Sequence, residues 1–305
     1  MTIKQVHHIS EIANKYDIFF VDLWGVIHDG IEAYPGVNEA LLSLQKAGKT
    51  VIFLSNAPRR AFRAVEGLRN VGVPDELYNN VVTSGEVVFE YLKSSPSLLR
   101  EGGGVRAKGQ STAEFSPRGK YIILGPERDS GLLDGTGHTR VLDVNDADFM
   151  VVTGFDHDDS NMDEMQPYLD KAIKLNLLLI CANPDLIVVR LTGKKALCAG
   201  VIANKYEEMG GKVTYFGKPY KAVYERAMQL VGNTQKDRIA AIGDSILNDI
   251  KGANDFGIDS YFIPGGIAGA ELGIVHGQLP TTDNLQKFCE TYDIKPTGVL
   301  PKFVF

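Results

Sequence analysis

Four short segments of this 305-residue chain combine residue types able to move a phosphoryl group. The apolar run Ile18-Phe19-Phe20-Val21 ends on Asp22, and Phe53-Leu54 runs into Ser55-Asn56. Further on, Phe216-Gly217 precedes Lys218-Pro219, and Ile242-Gly243 precedes Asp244-Ser245, with Asp249 shortly after. A carboxylate can attack phosphorus and form an acyl phosphate once the repulsion between an anionic nucleophile and an anionic ester is removed. A magnesium ion and a lysine would remove it. Mg2+ prefers oxygen ligands, few from protein and the rest from water and phosphate. Asp22 and Asp244 are the natural carboxylates, the main-chain carbonyl at Trp24 offers a third ligand, and Asp249 would orient the shell. In the same scheme the Ser55 hydroxyl and the Asn56 amide donate to the phosphoryl oxygens, while Lys218 neutralises phosphate and nucleophile together.

Singly, each residue has a plainer reading. An Asp after a strand forms turns, Asp244 or Ser245 caps a helix, and Asp249 favours the positive end of a helix dipole. Lys218 before Pro219 reads as a solvated turn lysine, and Ser55-Asn56 as the turn that ends a strand. Their joint placement carries the functional reading, because the carboxyl edges of parallel strands form one ligand crevice in an open α/β sheet.

The elements that must position these residues alternate between strand-length apolar runs and segments of helical period, which predicts an α/β fold with a doubly wound parallel sheet. Strands are expected at 18–22, 50–54, 80–82, 121–124, 149–152, 177–180, 213–216, 238–242 and 260–263. Helices are expected at 38–44, 60–68, 162–175, 197–209, 221–230 and 246–256, the last closed by Gly257, with a further helix starting at Thr83-Ser84-Gly85-Glu86. Ser94 to Gly119, with Ser-Ser-Pro and Gly102-Gly103-Gly104, reads as an irregular connection whose tract to Arg118 is the most mobile part. The pattern of the first block resumes at Val213. Residues 1–88 and 213–305 are therefore expected to form one Rossmann-like unit, with 89–212 an α/β domain inserted into it.

Bulk composition excludes several classes. A chain 44% hydrophobic and 23% charged is an ordinary globular sequence. A formal charge of -6 offers no basic field for a nucleic acid or an anionic membrane surface. No stretch approaches the length of a spanning helix and the N-terminus lacks a signal-peptide pattern, so a cytoplasmic protein is expected. Cys181, Cys198 and Cys289 lack metal-ligand spacing and read as buried, reduced thiols.

In the order and identity of all four motifs, the chain resembles the haloacid dehalogenase superfamily of aspartate-nucleophile phosphotransferases. Asp22, Ser55, Lys218 and the Gly243-Asp244-Ser245 to Asp249 segment stand at that family's nucleophile, phosphate-binding, lysine and metal positions. The insert between the second and third motifs, containing Cys181-Ala182-Asn183-Pro184-Asp185, is similar to the large α/β cap of the class IIA (NagD-like) sugar and small-molecule phosphatases. The resemblance implies an Mg2+-dependent hydrolase of a small phosphorylated metabolite, with Asn183 and Asp185 facing the substrate from the cap, and it allows a homodimer made through the cap. One departure stands out. Phosphatases of the family usually carry an aspartate two residues after the nucleophile, as general acid and base, and here that residue is Trp24. Indole does no acid-base work near neutrality. The expectation is a slow or restricted phosphatase that favours leaving groups needing no proton, or one in which His28 or Asp29 supplies it. The alternatives are a non-catalytic binder of a phosphorylated ligand, or phosphonate or halide cleavage on the same aspartate.

Other features carry less. Asp156-His157-Asp158-Asp159 reads as an acidic loop before a helix rather than a metal site, and no phosphate-loop lysine and serine follow Gly102-Gly103-Gly104. His7, His8, His138 and His276 have no identifiable partner in the sequence. Arg59 and Arg60 follow Ser55-Asn56 closely enough to touch an anionic substrate, or lie on a helix surface.

Overall fold

In the computed structural model, the described residues are 3–98, 119–189 and 195–305. They divide into two compact units. One comprises Met1–Ser55, Ala61–Val82 and Lys218–Phe305, and the other Asn56–Arg60 with Thr83–Gly217.

The first unit holds a sheet ordered Lys4–Gln5, Gly298–Val299, Asp259–Phe262, Ile239–Gly243, Ile18–Asp22, Thr50–Ser55, Asn80–Thr83. Every neighbouring pair from Lys4–Gln5 across to Thr50–Ser55 is parallel. Ile18–Asp22 is buried along its whole length, as befits a central parallel strand covered on both faces, which needs an unbroken apolar run instead of an alternating one. From this strand the chain builds outward to Thr50–Ser55 and Asn80–Thr83 on one side. It later returns on the other side at Ile239–Gly243, so the direction of winding reverses beside Asp22. Crevices at such reversals, outside the carboxyl ends of the strands, are where open α/β sheets bind ligands.

Register brings the functional ends level. Val21 pairs with Ile242 and Phe53, and Asp22 with Leu54, so Asp22, Ser55 and Asp244 leave one sheet edge together. Helix Val37–Lys46 covers one face by burying Val37, Ala40, Leu41 and Leu44, a single stripe at helical spacing, against Phe19, Val21, Val51 and Phe53. On a second core, Ile246, Ile250 and Phe262 pack with Leu285 and Phe288 of helix Thr282–Tyr292. That helix, capped by Thr281, lies beyond the last element read from the sequence.

The second unit has its own parallel sheet, ordered Lys212–Tyr215, Leu178–Cys181, Phe149–Val152, Lys120–Leu124, Thr139–Arg140. Helices Met162–Lys174 and Ala199–Glu208 bury Met165, Leu169, Ile202 and Tyr206 against it. The strand ending near Phe216, expected to resume the first unit, belongs here instead, because Lys212–Tyr215 pairs with Leu178–Cys181. The compact units accordingly part at Gly217/Lys218 and Val82/Thr83, not at 212/213 and 88/89. A strand-length run looks the same whichever sheet receives it; only non-local pairing distinguishes them. Helix Ser84–Leu98 extends into the stretch read as irregular. The rest of that stretch to Arg118, with Gly102-Gly103-Gly104, lies outside the described residues. No helix among the described residues is long and apolar enough to cross a membrane, and Cys181, Cys198 and Cys289 are buried.

Candidate active site

The first unit gathers Asp22, Asp244 and Asp249 into one buried cluster, with a carboxylate oxygen of each within 4.8 Å of the others. Lys218 Nζ lies among them: it donates to Asp22 Oδ1, stands 2.8 Å from Asp249 Oδ1 and donates to Leu54 O at 3.0 Å. The last contact ties the lysine to the end of the Ser55 strand. Burial alone would pull the Lys218 pKa down, but the adjacent Asp22 and Asp249 charges reverse this and hold the ammonium protonated.

Three carboxylates share one ammonium. Burial, and then the charges of Asp22 and Asp249, push the Asp244 carboxyl well above the usual carboxylate range, although the Ile267 amide donates to its Oδ2 at 2.9 Å. The surrounding backbone is fitted to this group. Gly25 sits at φ +82°, and a Cβ there would fall on the Asp244 carboxylate; a Cβ at Gly266 would lie 2.6 Å from Asp244 Cβ. Asp249 is aimed by its own turn, since Ser245 N donates to its Oδ2 at 3.0 Å while Ser245 Oγ accepts from Asn248 N at 3.2 Å. The helix expected over 246–256 opens here as a π-helical turn, Ile246–Ile250, before continuing as Lys251–Phe256. Wide turns of this kind favour functional sites.

The loop after Asp22 carries a set of rings. Trp24 is 37% exposed, although Leu23, Val26 and Ile27 around it are buried. Its indole lies over Gly30, where any Cβ would collide with the ring, and edge-on to His28 at 5.6 Å and 80°. Burial lowers the His28 pKa, keeping the imidazole neutral near pH 7, and among the described residues its buried Nδ1 has no hydrogen-bond partner. Asp29 is spent on the turn, its Oδ1 accepting from Ile31 N at 2.8 Å and Glu32 N at 3.1 Å. Tyr34 stacks on His276 at 3.9 Å and 14°. Its phenol is pushed up to about 12, by burial first and then by the Asp29 and Asp244 charges. Neither ring was singled out for the site from sequence: Tyr34 precedes Pro35 and reads as a turn residue, and His276 lies in a loop far along the chain.

Ser55 ends its strand partly exposed. Asn56 belongs by contacts to the second unit, where its amide donates to Asp185 Oδ1 at 2.8 Å. The amide is expected to donate to a phosphoryl oxygen, and one of its two N–H groups goes to the Asp185 carboxylate here. Asn183-Pro184-Asp185 forms an Asx turn, with Asp185 N donating to Asn183 Oδ1 at 3.1 Å. Arg60 precedes helix Ala61–Asn70 instead of lying on its surface. It grips Glu86 with two bonds of 2.8 and 3.0 Å and stacks on Phe89, while the Arg59 carbonyl accepts from Thr83 Oγ1 at 2.6 Å. Asp156-His157-Asp158-Asp159 leads into a helix capped by Asn161 and, among the described residues, joins no metal-capable group.

Residues 19–137 match the model of the haloacid dehalogenase-like hydrolases, and residues 215–288 that of a HAD-hydrolase-like family. A haloacid dehalogenase-like hydrolase from Brucella suis 1330 is 30% identical, with 98% of this chain and 100% of that one covered and a TM-score of 0.78. The chain belongs to the haloacid dehalogenase-like hydrolase family. Other members are similar over most of their length. The sugar-phosphatase AraL of Bacillus subtilis is 26% identical over 254 residues, 81% of this hydrolase and 83% of that relative. A 4-nitrophenylphosphatase from Thermotoga maritima is 27% identical, covering 94% of this chain and 95% of that one, with a TM-score of 0.66.

Proposed function

We propose that this hydrolase cleaves small phosphomonoesters, sugar phosphates or similar, with Asp22 as the nucleophile and Mg2+ as its cofactor. The observation that carries the reading is the buried cluster of three carboxylates around one lysine. A carboxylate so placed attacks phosphorus, the ester oxygen departs, and water then cleaves the acyl phosphate to return Asp22 and release phosphate.

The donor set suits a divalent cation. It is all oxygen and carries more negative charge than Lys218 balances. Asp22, Asp244 and Asp249, with the Trp24 carbonyl, would hold Mg2+, whose chemistry there is to offset the charge of the phosphoryl group. Lys218 holds Asp22 in place and screens it from the incoming anion. Ser55 binds a phosphoryl oxygen. From the family resemblance, Asn183 and Asp185 are proposed as substrate contacts.

Trp24 sets the range of the reaction. Without a general acid the expected loss is roughly a hundred- to ten-thousand-fold for leaving groups that need a proton, and small for those that leave as stable anions. Phosphate release from sugar phosphates, nucleotides and an activated aryl phosphate, with Mg2+ and with Asp22→Asn as the blank, tests the proposal. Release that requires both Mg2+ and Asp22 supports it, and no release above the blank from any ester refutes it.

A further inference from the structure

We infer that Trp24 is a leaving-group platform and that the favoured substrates are phosphomonoesters of planar aromatic alcohols. This deepens the phosphatase reading and rests on it. The position that lacks an acid holds a large ring, and the structure fixes that ring in place. Trp24 keeps 37% of its surface exposed while its neighbours in the loop are buried. The six-membered ring of its indole is backed by Gly30, at φ +98°, where no side chain fits, and it meets the His28 ring in a T-shaped contact, while a backbone bridge joins residues 24 and 28. An indole that merely filled space would be buried, and one that merely lay on the surface would not need a glycine beneath it. Its next residue, Gly25, packs on the Asp244 carboxylate, and Asp22 lies two residues before it. The exposed part of the ring is therefore carried by the same turn as the nucleophile.

The chemistry of the two features agrees. In the first step an Asp22 oxygen forms a bond to phosphorus and the bond from phosphorus to the aryl oxygen breaks, its electron pair leaving with the aryl oxide. An aryl oxide is far more stable than an alkoxide and departs without a proton. In the second step water adds to phosphorus and the bond to Asp22 breaks; one proton of the water stays as the hydroxyl of the released phosphate and the other is taken by the aryl oxide freed in the first step. Neither step needs an acid at position 24, and a planar leaving group gains stacking from the indole that a saturated one does not.

Because Trp24 is the only tryptophan among 305 residues, its fluorescence reports on this surface alone. The experiment titrates the full-length protein, with Mg2+, with phenylphosphonate and with cyclohexylphosphonate, which is of similar size but not flat. Tryptophan emission is read alongside inhibition of Asp22-dependent phosphate release. The inference expects phenylphosphonate to change the emission and to bind about 5- to 10-fold more tightly. Trp24→Leu should abolish the preference and Trp24→Phe should restore most of it. Equal binding of the two phosphonates with no change in emission overturns the platform while Asp22-dependent release stands. Absence of that release overturns the phosphatase reading instead, and the emission titration still decides for or against the platform.

Discussion

Gly266 leaves no room for a side chain against Asp244: a Cβ there would stand 2.6 Å from both Asp244 Cβ and Asp244 Cγ. Asp244 is buried and its Oδ2 already accepts from Ile267 N, so it cannot swing clear without losing that bond. Gly266 is not in the left-handed region, so alanine brings steric displacement without backbone strain. Gly266→Ala should raise the Mg2+ concentration needed for half-maximal phosphate release by about tenfold or more, while costing about 1–3 kcal/mol of stability, the usual range for overpacking. Magnesium titrations and thermal melts of the two proteins check both halves. An unchanged magnesium requirement would mean that the Asp244 position is not what the glycine protects.

Lys218 is the cation that the cluster contains, and it is only 3% exposed. Removing one partner of a buried ion pair leaves uncompensated charge and costs about 3–5 kcal/mol. Lys218→Met should therefore lower the melting temperature by several degrees in EDTA and lose activity. Added Mg2+ should recover more stability in this variant than in the wild type, because a second cation then meets the unbalanced carboxylates. Paired melts with EDTA and with Mg2+ test this; equal Mg2+ shifts in the two proteins would argue against a shared role for ion and lysine.

Much of this arrangement could be read in the sequence, and the reasons differ by element. Ile18–Asp22 was legible because a central parallel strand needs an unbroken apolar run, and its polar terminus then stands out. The placement of Lys212–Tyr215 was not, since pairing between distant strands leaves no local trace. Gly266 reads as a turn residue after Pro264 and Gly265, and its contact with Asp244 arises only when the loop folds back over the sheet edge. The π-helical opening at Ile246–Ile250 has no signature distinct from an ordinary helix start. Asn56 offered a donor and the right place in the chain, but nothing local said that Asp185 would take it.

The frame around the site should depend on pH through Asp259. Its carboxylate accepts from Lys15 Nζ at 2.6 Å, Tyr16 OH at 2.7 Å and Thr297 Oγ1 at 3.0 Å, and the Tyr16 and Tyr261 hydroxyls lie 3.0 Å apart. Burial alone would raise its pKa, but these donors outweigh it and hold the carboxyl below its ordinary value. A depressed folded-state pKa stabilises the protein above the unfolded value, near 3.9, and the contribution is lost as pH falls through the folded one. Asp259→Asn should cost about 1–2 kcal/mol at pH 7, and much less at a pH low enough to protonate the native carboxyl as well. Denaturant unfolding at the two pH values measures the gap. A gap that persists at low pH would show that hydrogen-bond geometry matters there, not charge.

The bond from Asn56 Nδ2 to Asp185 Oδ1, at 2.8 Å, sets up a choice for the residue that follows Ser55. If Asn56 serves the phosphoryl group directly, freeing it from Asp185 should make it a better donor. If its work is to brace the Asn183-Pro184-Asp185 turn, the two side chains act as a unit. Gly217, at φ +111°, favours the second outcome, because a Cβ there would stand 2.6 Å from Asn56 Oδ1 and 2.9 Å from Pro184 Cδ, so the amide is packed as well as bonded. A double-mutant cycle should then give Asn56→Ala and Asp185→Ala similar losses, with the double variant little worse than either and a coupling of about 1 kcal/mol or more. KM for the substrate should rise in both single variants. Additive losses, with KM raised by Asn56→Ala alone, would return Asn56 to the phosphoryl group.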